Sequence, residues 1–333
     1  MGLRIKILGV VVCVVFAAWS AFWWYAAGTV ESASADAIVK AGDRGIAVDC
    51  SDKTVRGWPF RMTLVCERIG VGAQDFQVAA NGLRAVAMVY NPSHLIVEAD
   101  SPVEIASTQL PGPVTAQWKS GRASLQLSQN IVDRASFVFS DLALDSITFL
   151  PLANPTADSI EVHLRRSEQP LDLDVAITSR TVAGFFGTAA LPEFDLDVLA
   201  TITDGAHFLV GQSKRFMDRI RTDGGAVDMS RALLTIGEAR VEVSGRLSLA
   251  ENGHISGEPR IAIANVQALG RELGKIPGLD ISRIQPVLSV FANFGEKTMI
   301  GDSPASAVTL VIRDGHVTAG LFPLGRLQPI ALD

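Results

Sequence analysis

From about residue 45 onward, apolar and polar residues alternate with a period of two in many short runs. The clearest are Ile160-Val162-Leu164, Leu171-Leu173-Val175-Ile177, Phe194-Leu196-Val198, Val241-Val243-Gly245-Leu247-Leu249 and Val308-Leu310-Ile312. Weaker versions occur at Val103-Ile105, Leu125-Leu127, Phe137-Phe139 and Leu142-Leu144. Such alternation predicts antiparallel strands with one dry and one wet face. In Leu171-Asp172-Leu173-Asp174-Val175, burying every second carboxylate would cost several kcal/mol each, so the carboxylates face water and the register is set. Asn252-Gly253 and Asp314-Gly315 supply the residues that tolerate positive φ in tight hairpins. The alternation of strand and helix that a parallel sheet requires is not found. The fold expected is mainly β (a β-rich α+β class): a long curved antiparallel sheet or open half-barrel with a few helices.

Three stretches read as helices. Ser282 with Gln285 forms a capping box ahead of Ile284, Val287, Leu288, Phe291 and Phe294, with Gly295 near the stop and Pro286 in or just past the first turn. Asn265 caps a shorter helix carrying Val266, Leu269 and Leu273. In the third, Phe208 to Arg221, Leu209, Phe216, Met217 and Ile220 share a face, with Lys214, Arg215, Arg219 and Arg221 elsewhere. That pattern suits either a helix with a solvated basic face or one lying on an anionic membrane surface.

The N-terminus breaks the strand pattern. Ile7 to Gly28 carries no charge, Arg4 and Lys6 precede it, and Glu31 and Asp36 follow. As a helix the stretch covers roughly 33 Å, enough to cross a hydrocarbon core of about 30 Å. The flanking basic residues orient it with the N-terminus in the cytoplasm, and Trp23, Trp24 and Tyr25 suit the outer interface. Residues 1–30 are therefore expected to be an inner-membrane anchor, 31–45 a juxtamembrane linker or helix, and 46–333 a periplasmic β-rich domain of two similar halves, about 46–205 and 206–333. The competing reading is a signal peptide cut after Ala35 in Ala33-Ser34-Ala35. A secretory apolar region is shorter than this one and ends closer to its cut. Cys13, inside the apolar run, reads as a buried, inert thiol.

Cys50 and Cys66 lie on the expected exported side, where disulfides persist. Ile46, Val48 and Cys50 share one face of an extended segment and Met62, Leu64 and Cys66 share one face of the next, so both sulfurs can face a common core. A disulfide would close a loop of about 15 residues and contribute around 3 kcal/mol; the other reading is two separate buried thiols. Between them stands Arg56-Gly57-Trp58-Pro59-Phe60-Arg61. Pro59 fixes its own φ and biases Trp58 toward an extended backbone. The cluster reads either as a rigid plug capping one end of the sheet or as an aromatic, basic lip (Gly57, Trp58, Pro59, Phe60, Arg61) for a lipid headgroup or a partner protein.

Composition narrows the classes. Of 333 residues, 48% are hydrophobic and 19% charged, which supports a real core and excludes wholesale disorder. Lys and Arg number 29 against 35 acidic residues, without a basic block fit to neutralise a row of phosphates, so nucleic acid is not an expected partner. Chemistry is scarce. His94, His163, His207, His254 and His316 are widely spaced, and neither a metal-ligand spacing, a nucleophile elbow nor a phosphate loop occurs. Gly70-Val71-Gly72 begins a dinucleotide pattern that Asp75 breaks. Neither a catalytic residue, a metal nor a cofactor is expected.

The anchor, the Cys, the Gly-Trp-Pro-Phe-Arg motif and the second Cys together resemble domain-of-unknown-function family 2125 (DUF2125) of alphaproteobacterial envelope proteins. The C-terminal run Leu310-Val311-Ile312-Arg313-Asp314-Gly315-His316-Val317, followed by Gly320-Leu321-Phe322-Pro323-Leu324-Gly325, is similar to the same family. The ladders are also similar in style to AsmA-like envelope proteins, whose curled sheets form lipid-associated grooves. The resemblance to the first family implies no activity. The expected role is noncatalytic: holding a lipid or other amphiphile in an apolar β-groove for envelope homeostasis. The alternatives are a scaffold for envelope proteins and, remotely, a hydrolase with an unrecognised site.

Overall fold

The computed structural model describes residues 3–330 except 44, 74, 109, 111, 129–130, 146–147, 150–151, 170, 187–188, 211–212 and 277. The chain separates into two compact units, Met1–Leu127 and Ser128–Asp333. The boundary of the two expected halves, near 205–206, falls inside the second of these units. Around that point the chain runs on within one unit, because the strands on either side pair from Phe194↔Ile236 to Ile202↔Val227.

The first unit opens with a single helix, α1 (Leu3–Asp43), continuous through both the anchor and the juxtamembrane stretch. Ten strands follow: β1 (Ala47–Ser51), β2 (Thr54–Arg56), β3 (Arg61–Cys66), β4 (Arg68–Ala73), β5 (Phe76–Ala80), β6 (Leu83–Met88), β7 (Asn91–Ala99), β8 (Val103–Ser107), β9 (Val114–Gln117) and β10 (Ser120–Ser128). They pair antiparallel in two series, β1-β4-β5-β8-β9 and β2-β3-β6-β7-β10. Register brings like residues together: Val48, Val71, Val78, Ile105 and Val114 align across the first series, and Met62, Ala87, Leu95 and Leu125 across the second. A Cys50–Cys66 disulfide, with Cα atoms 5.2 Å apart, ties β1 to β3 and so one series to the other. Cys66 is 2% exposed, at the expected core position.

The second unit contains β11 (Ile131–Asp145), β12 (Thr148–Phe149), β13 (Leu152–Arg166), β14 (Leu173–Phe186), β15 (Ala189–Ala190), β16 (Phe194–Ile202), a 3-10 turn (Gly205–Phe208), α2 (Ser213–Asp223), β17 (Gly225–Ile236) and β18 (Ala239–Leu249). It continues through β19 (Ile255–Gly257), β20 (Arg260–Ala264), α3 (Val266–Leu273), α4 (Ile281–Phe294), β21 (Glu296–Ile300), β22 (Ser303–Thr309), β23 (Val311–Arg313), β24 (His316–Ala319) and β25 (Phe322–Arg326). Every described pairing is antiparallel, as the alternation predicted. Asp314 (φ 49°) and Gly315 (φ 79°) form the two-residue turn between β23 and β24, both with the positive φ of a type I′ hairpin.

The helices depart from the sequence reading in detail. Asn265 caps α3 as expected, its side chain accepting from the Ala268 amide at 3.1 Å. The cap of α4 is Asp280, not Ser282: its carboxylate accepts the Ser282 amide at 3.1 Å, so the helix starts earlier. Pro286 then falls in the second turn, where its missing N–H deprives the Ser282 carbonyl of an intrahelical donor. The third stretch divides into the 3-10 turn and α2. Phe216 is buried there, Arg219 pairs with Asp204 and Asp223, and Arg221 pairs with Asp218, giving a solvated face matched by its own acids.

Candidate functional site

The Gly57–Arg61 turn, between β2 and β3, is seated on α1. Gly57 has φ 113°, a conformation that L side chains rarely adopt, and it lets the chain reverse so that the Arg61 amide donates to the Gly57 carbonyl at 3.2 Å. The Trp19 indole N–H donates to the Pro59 carbonyl at 3.0 Å, and that of Trp23 to the Arg61 carbonyl at 3.1 Å. Trp58 meets Phe16 edge-on at 5.3 Å between ring centroids, and Phe60 lies 6.2 Å from Trp19. Further along the helix, Lys53 donates to the Glu31 carbonyl and the Ser34 hydroxyl. The motif's rings thus pack on a helix; Trp58 is 44% exposed and Phe60 62%.

The five residues assigned to the membrane interface separate accordingly. Arg4, Lys6, Trp24 and Tyr25 are exposed, whereas Trp23 is turned onto the β domain and is 5% exposed. Cys13 is a free thiol that the protein leaves uncovered, among the exposed apolar residues of Val10–Phe16. Helix α1 is long and apolar enough to cross a membrane.

The second feature is the apolar face of the second unit. Phe137, Val162, Ile177 and Val198 align on β11, β13, β14 and β16, and the row continues through Ala232, Val243, Ile261 and Val308 on β17, β18, β20 and β22. A parallel row holds Phe139, Ile160, Leu196, Leu234, Val241 and Ile263, broken by Ser179 on β14. At its C-terminal end the face is sealed: Leu269 of α3 and Leu288 and Phe291 of α4 form a buried cluster with Ile236 and Ile263, against which Val241, Ile261 and Val308 pack. Phe137, Val162, Ile177 and Val198 remain half-buried.

The opposite face carries the charge. Arg165 reaches Asp174 at 2.7 Å, Arg180 reaches Asp197 at 2.8 Å and Arg231 reaches Glu242 at 2.9 Å. Burial pushes the Asp174 carboxyl up, but hydrogen bonds from Arg165, Thr201 and Ser167, with the Arg165 charge, hold it below the ordinary carboxylate range. The same Asp174 hydrogen bond raises Arg165. A hollow of about 510 Å³ lies on this face, lined by Arg134, Ser136, His163, Arg165, Asp174 and Thr201 among others. Within it, His163 Nδ1 lies 3.0 Å from Ser136 Oγ and Nε2 lies 3.4 Å from Glu161 Oε2, an order of groups like that of a serine hydrolase. Ser136 and His163 are direct cross-strand partners on β11 and β13. His94 and Ser124 form another such cross-strand pair at 2.8 Å on β7 and β10, without a carboxylate. Among the described residues, no three His, Cys, Asp or Glu side chains cluster as a metal site would require.

An N-terminal helix of membrane-crossing length, seated on a disulfide-linked domain of antiparallel strands, defines the class. The chain belongs to the family described as "Uncharacterized protein conserved in bacteria (DUF2125)", which it matches over residues 23–328. That match begins at Trp23, the residue whose indole holds the turn. No curated protein and no solved structure matches the chain.

Proposed function

We propose that this is a noncatalytic protein of the bacterial envelope, anchored in the inner membrane by α1 with its N-terminus cytoplasmic, whose periplasmic β domain holds a lipid or similar amphiphile. The observation that carries this reading is the apolar face of β11, β13, β14 and β16, rows of half-buried Phe, Val, Ile and Leu continuous with a stretch that α3 and α4 seal. A contiguous apolar surface of this kind on a folded protein is a binding surface for something equally apolar. The feature is a face rather than a walled cavity, so an acyl chain would lie across the strands. The disulfide supports an oxidising compartment. Retention of α1 is supported by its continuity through Ala33-Ser34-Ala35 and by the burial of Trp23 against the domain.

Mass spectrometry of organic extracts from the purified full-length protein tests the reading. Lipid is expected in amounts that fall when Val162→Asp and Val198→Asp place carboxylates on the apolar face. Equal lipid in the folded double variant would refute it. A second reading, docking of an envelope protein, is favoured by a separate patch: Leu321 is 97% exposed beside Phe322, whose ring lies 5.7 Å from that of the exposed Phe294. Leu321→Asp should then abolish capture of the partner and leave lipid content unchanged.

A further inference from the structure

We propose that the Gly57–Arg61 turn is a second membrane contact, a wedge that enters the outer half of the bilayer alongside α1. This rests on the reading that α1 crosses the membrane. With the exposed Trp24 and Tyr25 at the outer interface, a rise of 1.5 Å per residue puts Trp19 and Phe16 roughly 7 to 12 Å below that level. Trp58 and Phe60 pack against these two residues and must lie at the same depth.

Four of the five backbone carbonyls of the turn are paired within the protein. Hydrocarbon offers a carbonyl no water, and each unsatisfied group there costs several kcal/mol. The Gly57 carbonyl accepts from the Arg61 amide, Pro59 from Trp19, Phe60 from the Val89 amide and Arg61 from Trp23. Pro59 has no N–H to satisfy. Two of the four donors are indoles of the transmembrane segment itself, so the helix supplies what the solvent would otherwise supply. What this edge exposes is apolar or amphipathic: Trp58, Phe60, Met88 at the end of β6 and, in the β6–β7 turn, the 75%-exposed Tyr90. Arg56 and Arg61 flank it, exposed, with stems long enough to carry their charges up to the phosphates.

The turn therefore fixes the height of the β domain above the bilayer. A helix alone would leave the domain free to rise on the α1 extension; a wedge at Trp58–Phe60 holds it against the surface.

Spin-label accessibility in the full-length protein, reconstituted in vesicles of phosphatidylethanolamine and phosphatidylglycerol, is the test. One sample carries the nitroxide on native Cys13. Two others carry it at Phe60→Cys or at Asn81→Cys, each with Cys13→Ser. Position 60 is exposed at the turn, whereas Asn81 is exposed beyond the opposite end of the same strands, where Leu83 pairs with Cys66. Labels at 13 and 60 are expected to be relaxed more by oxygen than by a water-soluble nickel chelate, and the label at 81 more by nickel. A water-exposed label at 60 with a lipid-protected label at 13 would overturn the wedge and leave the anchor standing. Water exposure at both positions would overturn the anchor as well. Lipid protection at 81 would also refute the wedge, since the domain would then be immersed generally.

Discussion

Replacing Gly57 by alanine tests the junction most directly. At φ 113° an added Cβ would lie 2.8 Å from both the Arg61 Cγ and the Arg61 carbonyl oxygen. The side-chain carbon can swing away, but the carbonyl is backbone and already accepts from the Trp23 indole at 3.1 Å. Two costs follow: about 1–3 kcal/mol for an L residue held at this φ, and about 1 kcal/mol for the displaced hydrogen bond. The sum, about 2–4 kcal/mol, is a large part of the 5–15 kcal/mol typical of a domain. Gly45→Ala is the internal control, because Gly45 also has positive φ (79°) but an added Cβ there meets no atom within 4 Å. Urea unfolding of the full-length protein in detergent, followed by near-ultraviolet circular dichroism, should show Gly57→Ala losing about 1 kcal/mol more than Gly45→Ala. Equal losses, or an unchanged Gly57→Ala, would refute the account of the turn as a close backbone approach to Trp23.

Three further outcomes are expected. Replacing both Cys50 and Cys66 by serine should lower stability by about 3 kcal/mol, as closure of a loop of this length implies, and reduction of the unfolded native protein should raise its mass by two hydrogens; an unchanged denaturant midpoint would count against it. Asp174 is held below its ordinary range, so its contribution is present above the unfolded-state pKa and disappears as the pH falls through the lower folded-state value. Asp174→Asn should therefore be less stable than the native chain near neutrality and converge with it in strong acid, as denaturant titrations at the two extremes would show. Phe291→Ala, at a site 3% exposed in the α4 cluster, should cost about 3–5 kcal/mol in the same unfolding assay, and a loss below 1 kcal/mol would mean that α4 does not seal the sheet.

Much of the architecture was legible because β structure writes itself with a period of two. The runs 160–164, 194–198 and 241–249 all lie in long strands, β13, β16 and β18, and the Asp-Gly turn at 314–315 could be read directly from its need for positive φ. The pairing of Cys50 with Cys66 followed from two local alternations pointing the same way. Helix starts were less legible: Asp280 and Ser282 are both good caps, and only the backbone path decides which amide a carboxylate can reach. The motif was visible as a cluster, but its contacts were not. Nothing in Trp58-Pro59-Phe60 itself says that its carbonyls meet Trp19 and Trp23, some forty residues earlier.

The sequence by itself determined the class: an apolar helix of crossing length, strands with one wet and one dry face, and an isolated pair of cysteines, since each is a matter of local periodicity or counting. Tertiary structure decided where those faces meet. It turned Trp23 inward while Trp24 and Tyr25 stayed out, aligned Phe137, Val162, Ile177 and Val198 into one row, and closed the C-terminal end of that row with α3 and α4. The physical reason is that an amphipathic strand specifies which side must be dry and says nothing of what dries it; that depends on strand order and on helices far away in the chain.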